Sequence, residues 1–253
     1  MQLKDIRIVL VEPSHPGNIG GAARAMKTMG ISDLYVVQPK RFPDPQADWR
    51  AAGALDVLDR AVVVDSLDEA LSQVRFVVGT STRNRRIPWP ITDAKGVAEE
   101  FQSLDNDVQA AILFGREDNG LSNDELARCH YHLQIPAAPE YSSLNLAMAV
   151  QVVCYELYQA SLITPDQPIR GAGQPGWDRK PAKVEEVEQM LGHLQHVLEQ
   201  TDFLQRDNPG QTMTRLRRMF ARIQPDETEI QILRGVLKHL AKAAPLDSTP
   251  RSS

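Results

Sequence analysis

Three segments of the chain place glycine, proline and small polar residues directly after apolar runs, where backbone N–H groups and hydroxyls can be turned toward a ligand. In VEPSHPGNIGGAARAMKTMG (11–30) a Pro- and Gly-rich loop runs into a helix. Such a loop can offer a helix N-terminus to a phosphate, although a tight strand-to-helix turn is the plainer reading. In ILFGREDNGLSNDEL (112–126) Gly115 allows a ligand or another backbone to come close, and Gly120 permits a positive φ. Arg116, Glu117 and Asp118 there are either a solvated ion-pair cluster or part of a site. In IPAAPEYSSLNLAMAVQVVCYEL (135–157) the cluster Tyr141 to Asn145 opens a helix, a position where hydroxyls more often cap than attack. None of the three is GxGxxG, none carries the GK[ST] of a P-loop, and GxSxG is absent. Dinucleotide oxidoreductase, nucleoside triphosphate and serine hydrolase chemistry therefore do not follow. His15, His130 and His132 lack carboxylate or cysteine partners at ligand spacing, so no metal site is expected.

The elements that must position these segments are short apolar runs: Ile6–Val11, Leu34–Val37, Ala61–Val64, Phe76–Val78, Ala110–Phe114 and Leu133–Ile135. With little polar alternation they suit strands buried on both faces. Helical patterns separate them. Asn18 is the expected N-cap of a helix carrying Ile19, Ala22, Ala23, Met26 and Met29, stopped by Gly30. Ser66 with Glu69, and Ser122 with Glu125, read as capping boxes. Alternating strands and helices predict an α/β fold, a mainly parallel, Rossmann-like sheet. All three polar segments follow strands, where such sheets place their crevices, so one site from three loops is expected.

A last helix from Leu144 to about Leu162 completes this unit, 1–163. The Pro/Gly-rich stretch TPDQPIRGAGQPGWDRKP marks a linker, 164–182. Three apolar stripes then predict a small all-α domain over 183–243: Val184, Val187, Leu191, Leu194 and Leu198; Met213, Leu216 and Phe220; Ile230, Leu233, Val236, Leu237 and Leu240. A disordered tail, 244–253, follows. A net charge of -5 argues against coating nucleic acid through bulk positive charge but leaves room for a local basic patch. Cys129 and Cys154, the two cysteines, read as reduced, buried thiols. With no signal peptide and no membrane span, a soluble cytoplasmic protein is expected.

Taken in order, IRIVLVEPSHPGNIGGAARAMKTMG, VVGTS, IPWP, LFGREDNGLSNDEL, PEYSSLNLAMAVQVV, NPGQTMTRLRRMF and ILRGVL make the chain resemble, over nearly its whole length, the SPOUT (α/β-knot) methyltransferases. Within them it is similar to the TrmJ-type tRNA (cytidine/uridine-2′-O-)-methyltransferases, which act on nucleotide 32 of the anticodon loop. The resemblance implies a sheet whose part from about Gly79 to Leu157 forms a trefoil knot, S-adenosylmethionine as methyl donor, a homodimer with a shared active site, and a tRNA partner. It assigns the donor pocket to Thr80, Ser81, Thr82, Gly115, Ile135, Ser142, Ser143 and Leu144, flanked by Glu117 and Pro136. It also assigns Arg24 to the reacting 2′-oxygen, with Asn18, Ser143 and Asn145 as companions.

Arginine stays protonated, so Arg24 is expected to stabilise the 2′-alkoxide or clamp a phosphate rather than act as a free base. The transfer needs no metal. Arg83, Arg85 and Arg86 before Trp89, and Arg215, Arg217, Arg218 and Arg222 on one C-terminal helix, are candidate RNA contacts, though such runs are also common on solvated faces. Action on another tRNA or rRNA ribose, or a non-catalytic RNA-binding role on the same fold, are the competing readings.

Overall fold

The computed structural model describes residues 2–81, 89–104, 108–162, 180–205 and 211–243. Thr82, Arg83, Arg85, Arg86, most of the expected linker and the tail lie outside them.

The chain runs β1 (Ile6–Val11), α1 (Pro16–Thr28), β2 (Asp33–Val37), α2 (Pro45–Ala51), α3 (Leu55–Asp59), β3 (Val62–Val64), α4 (Leu67–Ala70), β4 (Phe76–Thr80), β5 (Ile91–Thr92), α5 (Ala94–Ser103), β6 (Ala110–Phe114), α6 (Asn123–Leu126), β7 (Tyr131–Leu133) and α7 (Leu146–Leu162). Three helices close it: α8 (Val184–Gln200), α9 (Thr212–Ile223) and α10 (Glu227–Ala243). No helix among the described residues is long and apolar enough to cross a membrane.

The strands form one seven-stranded sheet in the order β3-β2-β1-β6-β4-β7-β5, and every pairing is parallel. Alternation along each strand divides two apolar layers. Ile6, Ile8 and Leu10 of β1, Phe76 and Val78 of β4 and Ala110, Ile112 and Phe114 of β6 face α1, α2, α3, α5 and α7. Val9, Val11, Val77, Ala111 and Leu113 face α4, α6 and the first residue of α8. Arg7 points to this second layer although it is 6% exposed. Its Nε donates to Asp33 at 3.0 Å, its Nη1 to the Ala70 carbonyl at 2.7 Å, and it stacks on Tyr35. A buried charge is tolerable only when paired and hydrogen-bonded in this way.

Several expectations shift. Helix α1 starts at Pro16 with His15 as N-cap, so Asn18 is inside its first turn and its side chain is released for other work. The last strand is Tyr131–Leu133 rather than Leu133–Ile135, because buried His132 stacks on Trp89 and Tyr131 pairs with Val78. Ile135 lies beyond the strand. Strand β3 is not buried on both faces: it is the sheet edge, and Val62 and Val63 are exposed. Strand β5 and helices α2 and α3 carried too short an apolar signal to be read, although Asp44 and Pro45 cap and open α2. Gly30 ends α1 with φ +73 as expected. Ser122 and Glu125 form the full capping box, whereas Glu69 reaches back to the amide of Asp65 instead of Ser66.

Helices α8 to α10 build their own core from Met190, Leu191, Val197, Phe220, Ile230 and Leu237. They lean on the sheet through the Val184 amide, which donates to the Val74 carbonyl at 3.0 Å, and through Arg75, which donates to the Pro181 carbonyl and pairs with Glu227 at 2.5 Å. Val236 and Leu240, expected in a buried stripe, are about half exposed because α10 meets α8 on one side only.

Candidate active site

The carboxyl ends of β4, β6 and β7 open onto one pocket. It is lined by Thr80 and Ser81 after β4, Gly115, Glu117 and Asn119 after β6, Leu133 and Ile135 from β7 and beyond, and Ser142, Ser143 and Leu144 before α7. Of the residues assigned to the donor, Pro136 is exposed and outside this lining, and Thr82 is outside the described residues.

The loop after β6 is shaped by two glycines. A Cβ on Gly115 would lie 2.2 Å from the Leu121 nitrogen, so only glycine lets the loop fold back on itself. Another backbone, that of Gly120 and Leu121, comes close here, and Gly115 also lines the pocket. Gly120 has φ +67, as its position required. Arg116 then forks between Glu12 and Glu125, meeting the two oxygens of Glu125 at 3.0 and 2.9 Å. Hydrogen bonds donated to these two carboxylates raise the guanidinium pKa above its ordinary value. The ion pair thus ties the end of β1 to α6.

Glu117 is the centre of the arrangement. Its carboxylate accepts from the Ser14 amide and hydroxyl at 2.9 Å each, from the His15 amide at 3.2 Å and from Asn18 Nδ2 at 2.9 Å. Burial by itself raises its pKa, but the bonds from Asn18 and Ser14 outweigh it and hold the group at about 2. Asn18 is held from the other side by Asn145 Nδ2, which donates to its Oδ1 at 2.9 Å. Asn145 also caps α7, accepting from the Ala147 amide at 3.0 Å. The three sequence segments therefore meet in one chain of hydrogen bonds. The hydroxyls of Ser142 and Ser143 are left exposed at the pocket rather than spent on a cap.

The wall suits a nucleoside bearing a sulfonium. Phe114, Leu133, Ile135 and Leu146 give an apolar floor, and the amides of Ile135, Ser142, Ser143 and Leu144 donate to no other described residue. Free backbone donors at an apolar floor can read a base edge and a ribose without a strong charge.

Arg24 stands elsewhere. It is exposed on α1, its side chain has no partner among the described residues, and it does not line the pocket of its own chain. Arg217 is drawn into an ion pair with Glu188, and Arg215 is exposed with only a 3.5 Å contact to Gln211. Arg218 is half-buried and Arg222 exposed. His130 and His132 are held in structural contacts. His130 Nδ1 accepts from the Val77 amide at 3.0 Å, and its ring stacks on Phe76. His132 contacts the Leu126 carbonyl at 3.2 Å. Both cysteines are buried free thiols, and burial pushes Cys154 up to about 12.

Residues 5–155 match the SpoU rRNA Methylase family, and residues 185–249 match the tRNA methyltransferase TrmJ C-terminal domain. A tRNA (cytidine/uridine-2′-O-)-methyltransferase TrmJ of Cronobacter sakazakii is 50% identical over 93% of this chain and 95% of its own. The crystal structure of TrmJ from Z. mobilis superposes with a TM-score of 0.79 at 34% identity, covering 92% of this chain and 98% of that one. The SpoU methyltransferase AviRb from Streptomyces viridochromogenes, solved with AdoMet, is 27% identical with a TM-score of 0.51, over 63% and 59% of the two chains. Sheet and helical C-terminal region agree with these relatives, and the chain belongs to the SpoU methylase family, in its TrmJ group of methyltransferases.

Proposed function

We propose that this chain methylates the ribose 2′-oxygen of a cytidine or uridine in tRNA, at nucleotide 32 of the anticodon loop, with S-adenosylmethionine as donor. The observation that carries this is the run Asn145–Asn18–Glu117, which joins the three polar segments and ends on Glu117 at the pocket. The names of the TrmJ relatives supply the tRNA pyrimidine, and the AviRb complex supports the donor.

Ile135, Ser142, Ser143 and Leu144 would hold the donor through backbone groups, with Gly115 and Ser81 closing the sides. When bound, the donor supplies an electrophilic methyl on a sulfonium. The residues here then have to align the 2′-oxygen behind that methyl, which contributes on the order of 7 to 11 kcal/mol. Because positive charge fades during transfer, a pocket with few acids aimed inward suits the transition state, and the charge on Glu117 is already engaged by four donated hydrogen bonds. Ser143 and Asn145 would orient the sugar.

Arg24 is absent from its own pocket, so it serves the site of a second copy, where its guanidinium stabilises the developing 2′-alkoxide. A homodimer is supported by the exposed apolar stripe Met148, Val152 and Tyr155 on α7, spaced for one helix face. We read about Gly79 to Leu157 as the trefoil knot, since β6 enters between β1 and β4, and β7 between β4 and β5. We place the methyltransferase domain at 1–163 and the helical domain at 183–243, and the enzyme in the cytoplasm.

The test is nucleoside mass spectrometry of tRNA incubated with protein and donor. A 2′-O-methylpyrimidine at nucleotide 32 is the expected product, and an unmodified transcript pool refutes the reading.

A further inference from the structure

Helix α2 carries Trp49, which is 79% exposed. With Arg41, Gln46 and Arg50 it borders an open depression. Nothing in the core requires an indole there: the helix is anchored by Ala47 and Ala51, both fully buried. Single exposed apolar residues are ordinary. This one differs in its company. Arg50 is exposed and pairs with no described residue, and Arg41 pairs only with Asp44, at 2.8 Å. Asp48 is exposed on the same helix but stands outside the depression.

The place matters as much as the chemistry. Positions 17, 20, 24 and 27 recur on one side of α1 at helical spacing. Three of them meet α2 or the turn after it. A Cβ on Gly17 would lie 3.4 Å from Arg50, one on Gly20 would lie 2.0 Å from the Ala47 carbonyl, and Lys27 donates to the Gly53 carbonyl at 2.9 Å. The remaining position on that side is Arg24. Arg50 therefore lies against the side of α1 that presents Arg24, and Trp49 is its neighbour on α2.

We infer that Trp49 and Arg50 form a platform for an unpaired nucleotide of the RNA substrate beside the methylated ribose, the indole stacking on its base and the guanidinium meeting a phosphate. An anticodon loop offers unstacked bases, and stacking on an aromatic side chain with an adjacent arginine is a sequence-tolerant grip. A platform on α2 holds the loop while Arg24 reaches the 2′-oxygen, so its effect falls on substrate affinity rather than on the transfer step. The inference rests on the tRNA reading above.

The experiment measures tRNA affinity by filter binding without donor, and methylation rates against tRNA concentration, for the wild type, Trp49→Ala, Trp49→Phe and Arg50→Ala. Both positions are exposed, so folding is little affected. Trp49→Ala is expected to weaken tRNA binding and raise KM about tenfold, with kcat within about twofold and S-adenosylhomocysteine binding unchanged. Trp49→Phe should recover most of the loss. Arg50→Ala should lower the dependence of log Kd on log salt by roughly 0.7, one single-strand phosphate contact. Equal tRNA affinity in the wild type and Trp49→Ala overturns the platform alone. Loss of dimer mass in Trp49→Ala, with tRNA affinity per dimer unchanged, overturns it in favour of a protein contact. A wild type that neither binds nor methylates tRNA removes the underlying function as well.

Discussion

Asn145 donates to Asn18 across 2.9 Å although 127 residues separate them in the chain. The bond has a direction. Asn18 uses its oxygen to accept from Asn145 and its nitrogen to donate to Glu117, so the run of amides ends on a carboxylate. The charge on Glu117 therefore orders the loop before α7, a segment it does not touch in these hydrogen bonds.

Asn145 has two tasks, and two substitutions separate them. Asn145→Ala removes both the α7 cap and the tie to Asn18, and is expected to cost about 1 kcal/mol of stability for the cap together with a large fall in methyl transfer. Asn145→Ser keeps a cap oxygen but is too short to reach Asn18. Its denaturation midpoint should return close to the wild type while transfer stays low. Recovery of both properties in Asn145→Ser would show that only the cap matters.

Two groups set an acid limit. Glu117 sits at about 2 in the fold against an ordinary 4.5, so its contribution is complete above about 4.5 and is lost as the pH falls toward 2. Burial pushes His130 down to about 4 from 6.5. It is neutral in the fold, whereas the unfolded chain takes up a proton below about 6.5, so stability falls between 6.5 and 4 by about 3 kcal/mol. Urea melts from pH 7.5 to 4.5 should show this slope. His130→Gln, which can still accept from Val77, should flatten it, and an unchanged slope would exclude His130 as its source.

How far the sequence speaks to this site depends on the kind of interaction. Gly120 was legible because a positive φ leaves few residue choices, and Ser122 with Glu125 because a cap is local. Strands β1 and β6 were readable to the residue from their unbroken apolar runs. Strand β7 was misplaced because His132 is buried by a stack on Trp89, a contact across 40-odd residues that no local pattern encodes. Glu117 was open between solvated charge and site, since its four donors come from residues about 100 positions away. Asn18 was given a capping role from its residue type. Pro16, already suited to the first helical position, moves the cap back to His15 and leaves Asn18 to reach Glu117.

The C-terminal arginines are not equivalent. Arg217 is held by Glu188 and lies beside the contact with the sheet, while Arg215 is exposed. Arg217→Glu would set two carboxylates together and should lower the melting temperature whatever its effect on RNA. Arg215→Glu should leave melting unchanged, and it is the cleaner probe of RNA contact. If the helical domain touches tRNA there, affinity and its salt dependence both fall. If neither moves, α9 does not contact the substrate at this point.

Arg24 is the residue whose position most constrains the assembly. It is exposed, unpaired among the described residues and outside its own pocket, so Arg24→Ala should fold and bind S-adenosylhomocysteine like the wild type. Transfer should fall by about 10² to 10³, the range for removal of one donor to a developing oxyanion. Mixing then tests where it acts. Arg24→Ala protomers keep an intact pocket, and Asn145→Ala protomers keep Arg24. If the arginine serves the partner's pocket, each mixed dimer regains one complete site, and random exchange should restore about a quarter of wild-type activity. If it serves its own pocket, neither site in the mixed dimer is complete and the mixture stays as slow as its parents, which would rule out a shared site.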